Sequence, residues 1–257
     1  MAIRLGRISY VNMAPLFHRL NVEVEEVSGV PTELNRMLLD GQLDIAPISS
    51  IEYARHAGSL RLLPRLCVSS EGAVESIQLV SRLPFSQIRS VAVTPESATS
   101  VVLTKVLLPQ AEHVPLDTPG ADARLLIGDA ALRSAFEDPT PHYDLGRLWL
   151  ERTGLPMVFA VWAVRREFAA AHPGVVKEVH EAFQRSRDLC LGELDEVAEA
   201  AARWEPFDAA TLATYFRALD FSLGEQQIAG IREFARLAAA RGEAPALPAD
   251  GPVFAEV

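Results

Sequence analysis

Short apolar runs alternate with segments of helical spacing along the first two thirds of the chain. Ile3 to Ile8 predicts a strand, and Ala14 to Leu20 a short helix behind Pro15. Val22 to Val27 interleaves valines with glutamates, the pattern of an edge strand. Pro31 to Asp40 predicts a helix with Leu34, Met37 and Leu38 on one face and Gly41 as its stop. Leu43 to Ile48 reads as a strand, and Ser50 starts a helix running to about Ala57. The order β-α-β-α-β-α predicts a mostly parallel sheet with helices on its faces.

Leu60 to Val68 and Ser76 to Ser81 are strand-like, and the second ends at Arg82-Leu83-Pro84. The pattern then restarts, with a strand at Val91 to Val93, a helix at Ala98 to Leu108, a strand at Arg124 to Ile127 and a helix at Asp129 to Phe136. A polar loop, Glu137 to His142, precedes a helix at Asp144 to Arg152 and a long apolar strand at Val158 to Val164. From Glu167 onward the pattern is helical, broken at Pro173, Gly192, Pro206 and Gly224. Two architectures fit. One has two α/β lobes, residues 1–83 with 167–257 and residues 84–166, joined by Ser76–Ser81 and Val158–Val164 as crossover strands. The other is a single doubly wound domain with a helical C-terminal cap.

Composition narrows the partners. The 257 residues are 49% hydrophobic and 23% charged, which suits a globular chain with a sizeable core. Lys and Arg number 24 against 34 Asp and Glu, a net charge of −10. Nucleic acid and anionic membrane, which need a basic face, are therefore poor partners. Met1 to Ile8 lacks the apolar core of a secretory signal, and no apolar run approaches the roughly 20 residues of a membrane helix. Cys67 and Cys190 form no CxxC motif and read as reduced structural thiols. The expected compartment is the cytosol.

In an open α/β sheet, ligands bind beyond the carboxyl ends of the strands, where loops meet helix N-termini. The segments at those positions are Ser9-Tyr10-Val11-Asn12, Ser49-Ser50 with Glu52 beyond, Ser69-Ser70-Glu71-Gly72, Thr94 with Ser97-Ala98-Thr99-Ser100, and Gly128-Asp129. Each loop alone reads as a helix cap. Together they describe a cleft of neutral donors suited to a mono- or dicarboxylic acid rather than a polyphosphate. Ser76 and Trp162, on the expected crossover strands, join the candidates. HExxH, Walker, GxGxxG and GxSxG motifs are absent, and the six histidines have no metal-ligand spacing. Glu52 and Asp129 are the best-placed carboxylates for a general base, although both sit where a first helical turn also favours them.

Several of these loops carry a family likeness. Gly6-Arg7-Ile8-Ser9-Tyr10-Val11-Asn12-Met13-Ala14-Pro15-Leu16-Phe17 resembles the opening motif of the menaquinone-pathway chorismate dehydratases, with Met13 where a threonine is expected. Gly41 to Tyr53 resembles their second signature. Further likeness lies in Leu66 to Gly72, Gly128-Asp129-Ala130-Ala131-Leu132 with the strand before it, Tyr143 to Gly146 and Thr153 to Ala163. The resemblance spans roughly residues 3 to 165. It implies a two-lobed fold of the type II periplasmic-binding-protein kind and a cytosolic enzyme with neither metal nor organic cofactor. It also implies the first step of the futalosine route, in which chorismate loses water to give 3-[(1-carboxyvinyl)oxy]benzoate. Asn12, Glu52 and Asp129 are then the catalytic candidates. Ser9, Tyr10, Ser49, Ser50, Ser69, Ser70, Ser76, Thr99, Ser100, Gly128 and Trp162 are the substrate-binding ones. The expected base is the substrate's own enolpyruvyl carboxylate, with Asn12 orienting the substrate or stabilising the charge that builds up in the ring; the rival is a protein base, Glu52 or Asp129. A non-catalytic carboxylate-binding protein and the pathway's naphthoate synthase are the alternative functions.

Overall fold

The computed structural model describes residues 3–257. Met1 and Ala2, part of the stretch read for a secretory signal and of the expected first lobe, lie outside them. In the first half of the fold, β1 (Ile3–Ile8), α1 (Ala14–Phe17), β2 (Val24–Gly29), α2 (Pro31–Leu39), β3 (Ile45–Ser49), α3 (Ser50–His56) and β4 (Leu60–Ser70) follow the expected order. Next come β5 (Ile77–Val80), β6 (Ser90–Val93), α4 (Ala98–Leu107), β7 (Glu112–Pro115), β8 (Ala123–Ile127), α5 (Gly128–Glu137), β9 (His142–Asp144) and α6 (Leu145–Thr153). The chain then forms β10 (Met157–Arg165) and five helices, α7 (Arg166–Ala171), α8 (Pro173–Gly192), α9 (Leu194–Ala201), α10 (Ala209–Ala218) and α11 (Glu225–Ala239).

The strands form two five-stranded sheets, ordered β2-β1-β3-β10-β4 and β7-β6-β8-β5-β9. Both sheets are mixed rather than mostly parallel. β1 runs parallel to β2 and β3, whereas β10 lies antiparallel to β3 and β4. In the second sheet β6 is parallel to β7 and β8, while β5 is antiparallel to β8 and β9. The antiparallel strands are those on which the chain comes back from the other half. β5 and β10, expected as crossovers, each lie wholly within one sheet. The chain passes between sheets in the stretches 71–76 and 154–156. The first passage is fixed by Asp144, whose carboxylate accepts from the backbone N–H of Val74 (3.1 Å) and Glu75 (2.8 Å) and from Gln78 Nε2 (2.8 Å).

Local chemistry explains the element ends. Pro31 occupies the first turn of α2, where its missing N–H costs nothing, and the Glu33 carboxylate accepts from the Val30 N–H. Gly41, at φ +74°, ends that segment as expected. β3 is buried along its whole length and β10 nearly so, as strands covered on both faces must be. Asp44 is buried before β3. It accepts from the Arg4 N–H (3.0 Å), from the Arg4 guanidinium (2.7 Å) and from Arg165 (3.4 Å), so the buried charge ties β1 to β10.

The C-terminal helices cover the first sheet. Phe183 of α8 packs edge-on against Phe17 and Trp162, at centroid distances of 5.3 and 5.5 Å. Gly230 lets α11 approach the Pro156 carbonyl, where a Cβ would lie 2.2 Å from the oxygen. Cys67 and Cys190 are buried and unpaired. No helix among the described residues is long and apolar enough to cross a membrane.

Candidate active site

The loops after the strands of both sheets meet around a cavity with about 460 Å³ of atom-free space. Its polar wall is Tyr10, Asn12, Ser49, Ser76, Ser97 and Ser100, with the Gly128 backbone. Its apolar wall is Ile8, Pro31, Val68, Ile77, Ile127, Phe159 and Ala160. Among the described residues, no charged side chain lines it.

Four helices begin at this cavity: α2 with Pro31, α3 with its cap Ser49, α4 with its cap Ser97 and with Ser100, and α5 with Gly128. The N–H groups and dipole of a helix start favour an anion. At α2 only the dipole is on offer, because Pro31 has no N–H and the Thr32 N–H donates to the Glu96 carbonyl. Ser97 Oγ accepts from the Ser100 N–H at 3.2 Å and lies 2.8 Å from Ser100 Oγ. Ser49 is fixed by Asn35, whose Oδ1 accepts from the Ser49 N–H (3.0 Å) and whose Nδ2 donates to Ser49 Oγ (3.2 Å). Asn12 stands apart: its Oδ1 is buried and has no hydrogen-bond partner among the described residues. A buried acceptor without a partner is costly, and a ligand donor would satisfy it.

The two halves also touch directly. Tyr10 Oη donates to Glu96 Oε2 at 2.9 Å, and the Val11 N–H donates to Asp129 Oδ1 at 3.2 Å. The Tyr10 ring lies flat on Gly128, at φ +55°, where a Cβ would come within 2.8 Å of ring carbons. Burial, then the neighbouring Glu96, push the Tyr10 phenol up, so it stays a donor.

Of the residues singled out in the sequence, Tyr10, Asn12, Ser49, Ser76, Ser100 and Gly128 line the cavity. The others lie elsewhere. Ser50 Oγ donates to the Val158 carbonyl and faces Thr99 Oγ1, which accepts from the Ile51 N–H, so this pair joins the two halves beside the cavity. Ser69 Oγ donates to the Asp220 carbonyl and Ser70 Oγ to the Gly72 carbonyl. Ser9 faces an outer groove that Trp204 also lines. Trp162 is buried against Phe183. Glu52 pairs with Arg55 (2.7 Å) and His56 (3.5 Å) along its own helix, away from the cavity. Ser97 and Phe159 line the cavity but were not among the binding candidates, and Glu96 was not singled out at all. Among the described residues, no group of three or more His, Cys, Asp or Glu is placed to hold a metal ion.

Asp129 stands next to the cavity without lining it. Burial raises its carboxyl to about 6, against an opposing hydrogen bond from the Val11 N–H. With its ordinary value near 3.8 in the unfolded chain, the native state binds the proton more tightly. The proton's stabilisation is full below that ordinary value and is lost as pH rises through 6. Asp129→Asn, which keeps a carbonyl acceptor for Val11, is therefore expected to gain stability on wild type by about 2–3 kcal/mol between pH 4 and pH 7. Urea unfolding across that range reads the difference. A constant offset would mean that Asp129 is not held in this environment.

Two α/β sheets closing on a neutral cavity define a protein of the periplasmic-binding-protein fold. The periplasmic aliphatic sulphonate binding protein SsuA of Escherichia coli superposes with a TM-score of 0.68 over 95% of this chain and 88% of its own, at 13% identity, a likeness of fold alone. The chain belongs to the menaquinone biosynthesis family, whose model matches residues 3–240. Among named relatives, the chorismate dehydratase of Thermus thermophilus is 39% identical, over 90% of this chain and 93% of its own. The chorismate dehydratase of Campylobacter jejuni is 34% identical, over 75% and 87%.

Proposed function

We propose that this chain is a chorismate dehydratase, removing water from chorismate to give 3-[(1-carboxyvinyl)oxy]benzoate on the futalosine route to menaquinone. Within the family, the observation that carries this reading is the cavity itself. Among the described residues it has no charged wall, four helix starts and one unpartnered amide oxygen on Asn12. Chorismate brings two carboxylates and one hydroxyl donor, and the cavity complements both.

The reaction asks little of an enzyme beyond pose and charge. The ring carbon bearing the enolpyruvyl ether loses its proton, the neighbouring carbon loses hydroxide, and the pair leave as water. Aromatisation drives the step, and conjugation with the ring carboxylate acidifies the proton. Negative charge spreads toward that carboxylate in the transition state, where fixed N–H and hydroxyl dipoles stabilise it without reorganising. Holding both carboxylates in one pose brings the enolpyruvyl carboxylate to the proton.

The substrate's own carboxylate is accordingly the base. Its rivals are poorly placed: Glu52 is tied to Arg55 and His56 on α3, and Asp129 is engaged by the Val11 N–H. The Asn12 amide orients the substrate. The halves act as two lobes that part for substrate and close for reaction, in a cytosolic enzyme with a small-molecule substrate and no nucleic-acid or membrane partner.

Purified protein incubated with chorismate is expected to consume the diene absorbance and release a product lighter by one water in the mass spectrum. Tight chorismate binding without that product would make the chain a binding protein instead.

A further inference from the structure

We propose that Glu96 is a positioning residue of this enzyme: its carboxylate holds the Tyr10 phenol as the wall that seals the cavity over the substrate. The inference rests on the dehydratase reading and extends it to how the substrate is kept.

Tyr10 faces two spaces. It lines the interior cavity, and it also lines the outer groove in which Arg7 and the 88% exposed Trp204 stand. Ile8 lines both spaces as well, so Tyr10 and Ile8 together form the partition between them.

What holds the wall comes from the other sheet. Glu96 sits in the loop between β6 and α4, half-buried, and its Oε2 accepts from the Tyr10 hydroxyl at 2.9 Å. The same residue's carbonyl accepts from the Thr32 N–H at the start of α2, at 3.2 Å. Its own N–H donates to Thr94 Oγ1 at 3.2 Å, which fixes the loop. Glu96 thus makes two bonds across the gap, both to cavity-wall segments. Among the described residues, no ion pair occupies its carboxylate; the phenol is the side chain it holds. A hydrogen bond to an ionised partner in a half-buried site is among the stronger ones, so its loss is expected to shift closure about tenfold.

The test compares wild type, Glu96→Ala, Glu96→Gln, Tyr10→Phe and the Glu96→Ala/Tyr10→Phe double variant. Each is measured for chorismate kinetics and, without ligand, for amide hydrogen exchange at Val11 and Thr32. Each disrupting single change is expected to raise KM about tenfold with kcat altered less than threefold. The double variant is expected to be no worse than the poorer single, because one bond is lost only once. Glu96→Gln, which still accepts, recovers part of the KM, and Val11 and Thr32 exchange faster wherever the bond is missing. Additive effects, or unchanged KM with unchanged exchange, overturn the proposal. A wild type that leaves chorismate intact sinks the dehydratase reading, while the exchange of Val11 and Thr32 still decides for or against the latch.

Discussion

Gly128→Ala is expected to lower kcat/KM for chorismate by 100-fold or more, the largest loss from adding a single methyl group. The residue stands at φ +55°, a conformation that costs an L-residue about 1–2 kcal/mol. The new Cβ would also lie 2.8–2.9 Å from three Tyr10 ring carbons, closer than real contacts allow. The ring must then tilt out of the wall and give up Glu96, or α5 must withdraw its N-terminus from the cavity. Either response spoils the site, since one opens the seal and the other removes amide donors from the developing charge. Stability is expected to fall by about 1–3 kcal/mol. Steady-state kinetics and urea unfolding read the two effects, and adding Tyr10→Ala should relieve the overlap while leaving the backbone strain. A kcat/KM within twofold of wild type would show that the ring does not rest on Gly128 during turnover.

The glycine was visible in the sequence; its reason was not. Strand-end loops rich in Ser, Asn and Gly pointed to the ends of the sheets at which the cavity lies, because a parallel β/α unit delivers its loop and helix start to the same edge. Which side chain of a loop turns inward depends on the other half of the molecule. Ser50 spends its hydroxyl proton on the Val158 carbonyl and Thr99 pairs with Ser50, while Ser97, two residues before Thr99, reaches the cavity. Glu52 could have been read correctly from its own helix, since Arg55 and His56 follow at spacings of three and four, where helical charges pair. Phe159 and Ala160 were hidden because β10 is apolar on both faces, so alternation marks no inner side. Strands β7 and β9 were missed for the opposite reason, being short, polar edge strands without an apolar run. Glu96 carries no periodic signal, and its partner lies 86 residues away.

Asn12→Ala is expected to cut kcat by 100- to 1,000-fold with a much smaller change in KM. The amide lies in the turn of 3₁₀ helix after β1, between buried Val11 and Met13, so its backbone is held and removing the side chain changes little else. Its Oδ1 is buried and has no partner among the described residues, so the enzyme offers an acceptor that a ligand's donor can satisfy. Chorismate's one donor is the ring hydroxyl on the carbon that loses its oxygen, next to the carbon that loses its proton. An amide that grips this hydroxyl fixes the ring relative to both carboxylates, and a misplacement of about 1 Å can cost 100-fold in rate. The carboxylates themselves stay with the helix starts, which the substitution leaves alone, so binding is largely retained. Removing a protein base would also lower kcat, but a base reveals itself in the pH profile, whereas an orienting amide does not titrate. Asn12→Ala should therefore keep the wild-type pH dependence at its lower rate. Loss confined to KM would make Asn12 a binding group only, and full turnover would remove it from the mechanism.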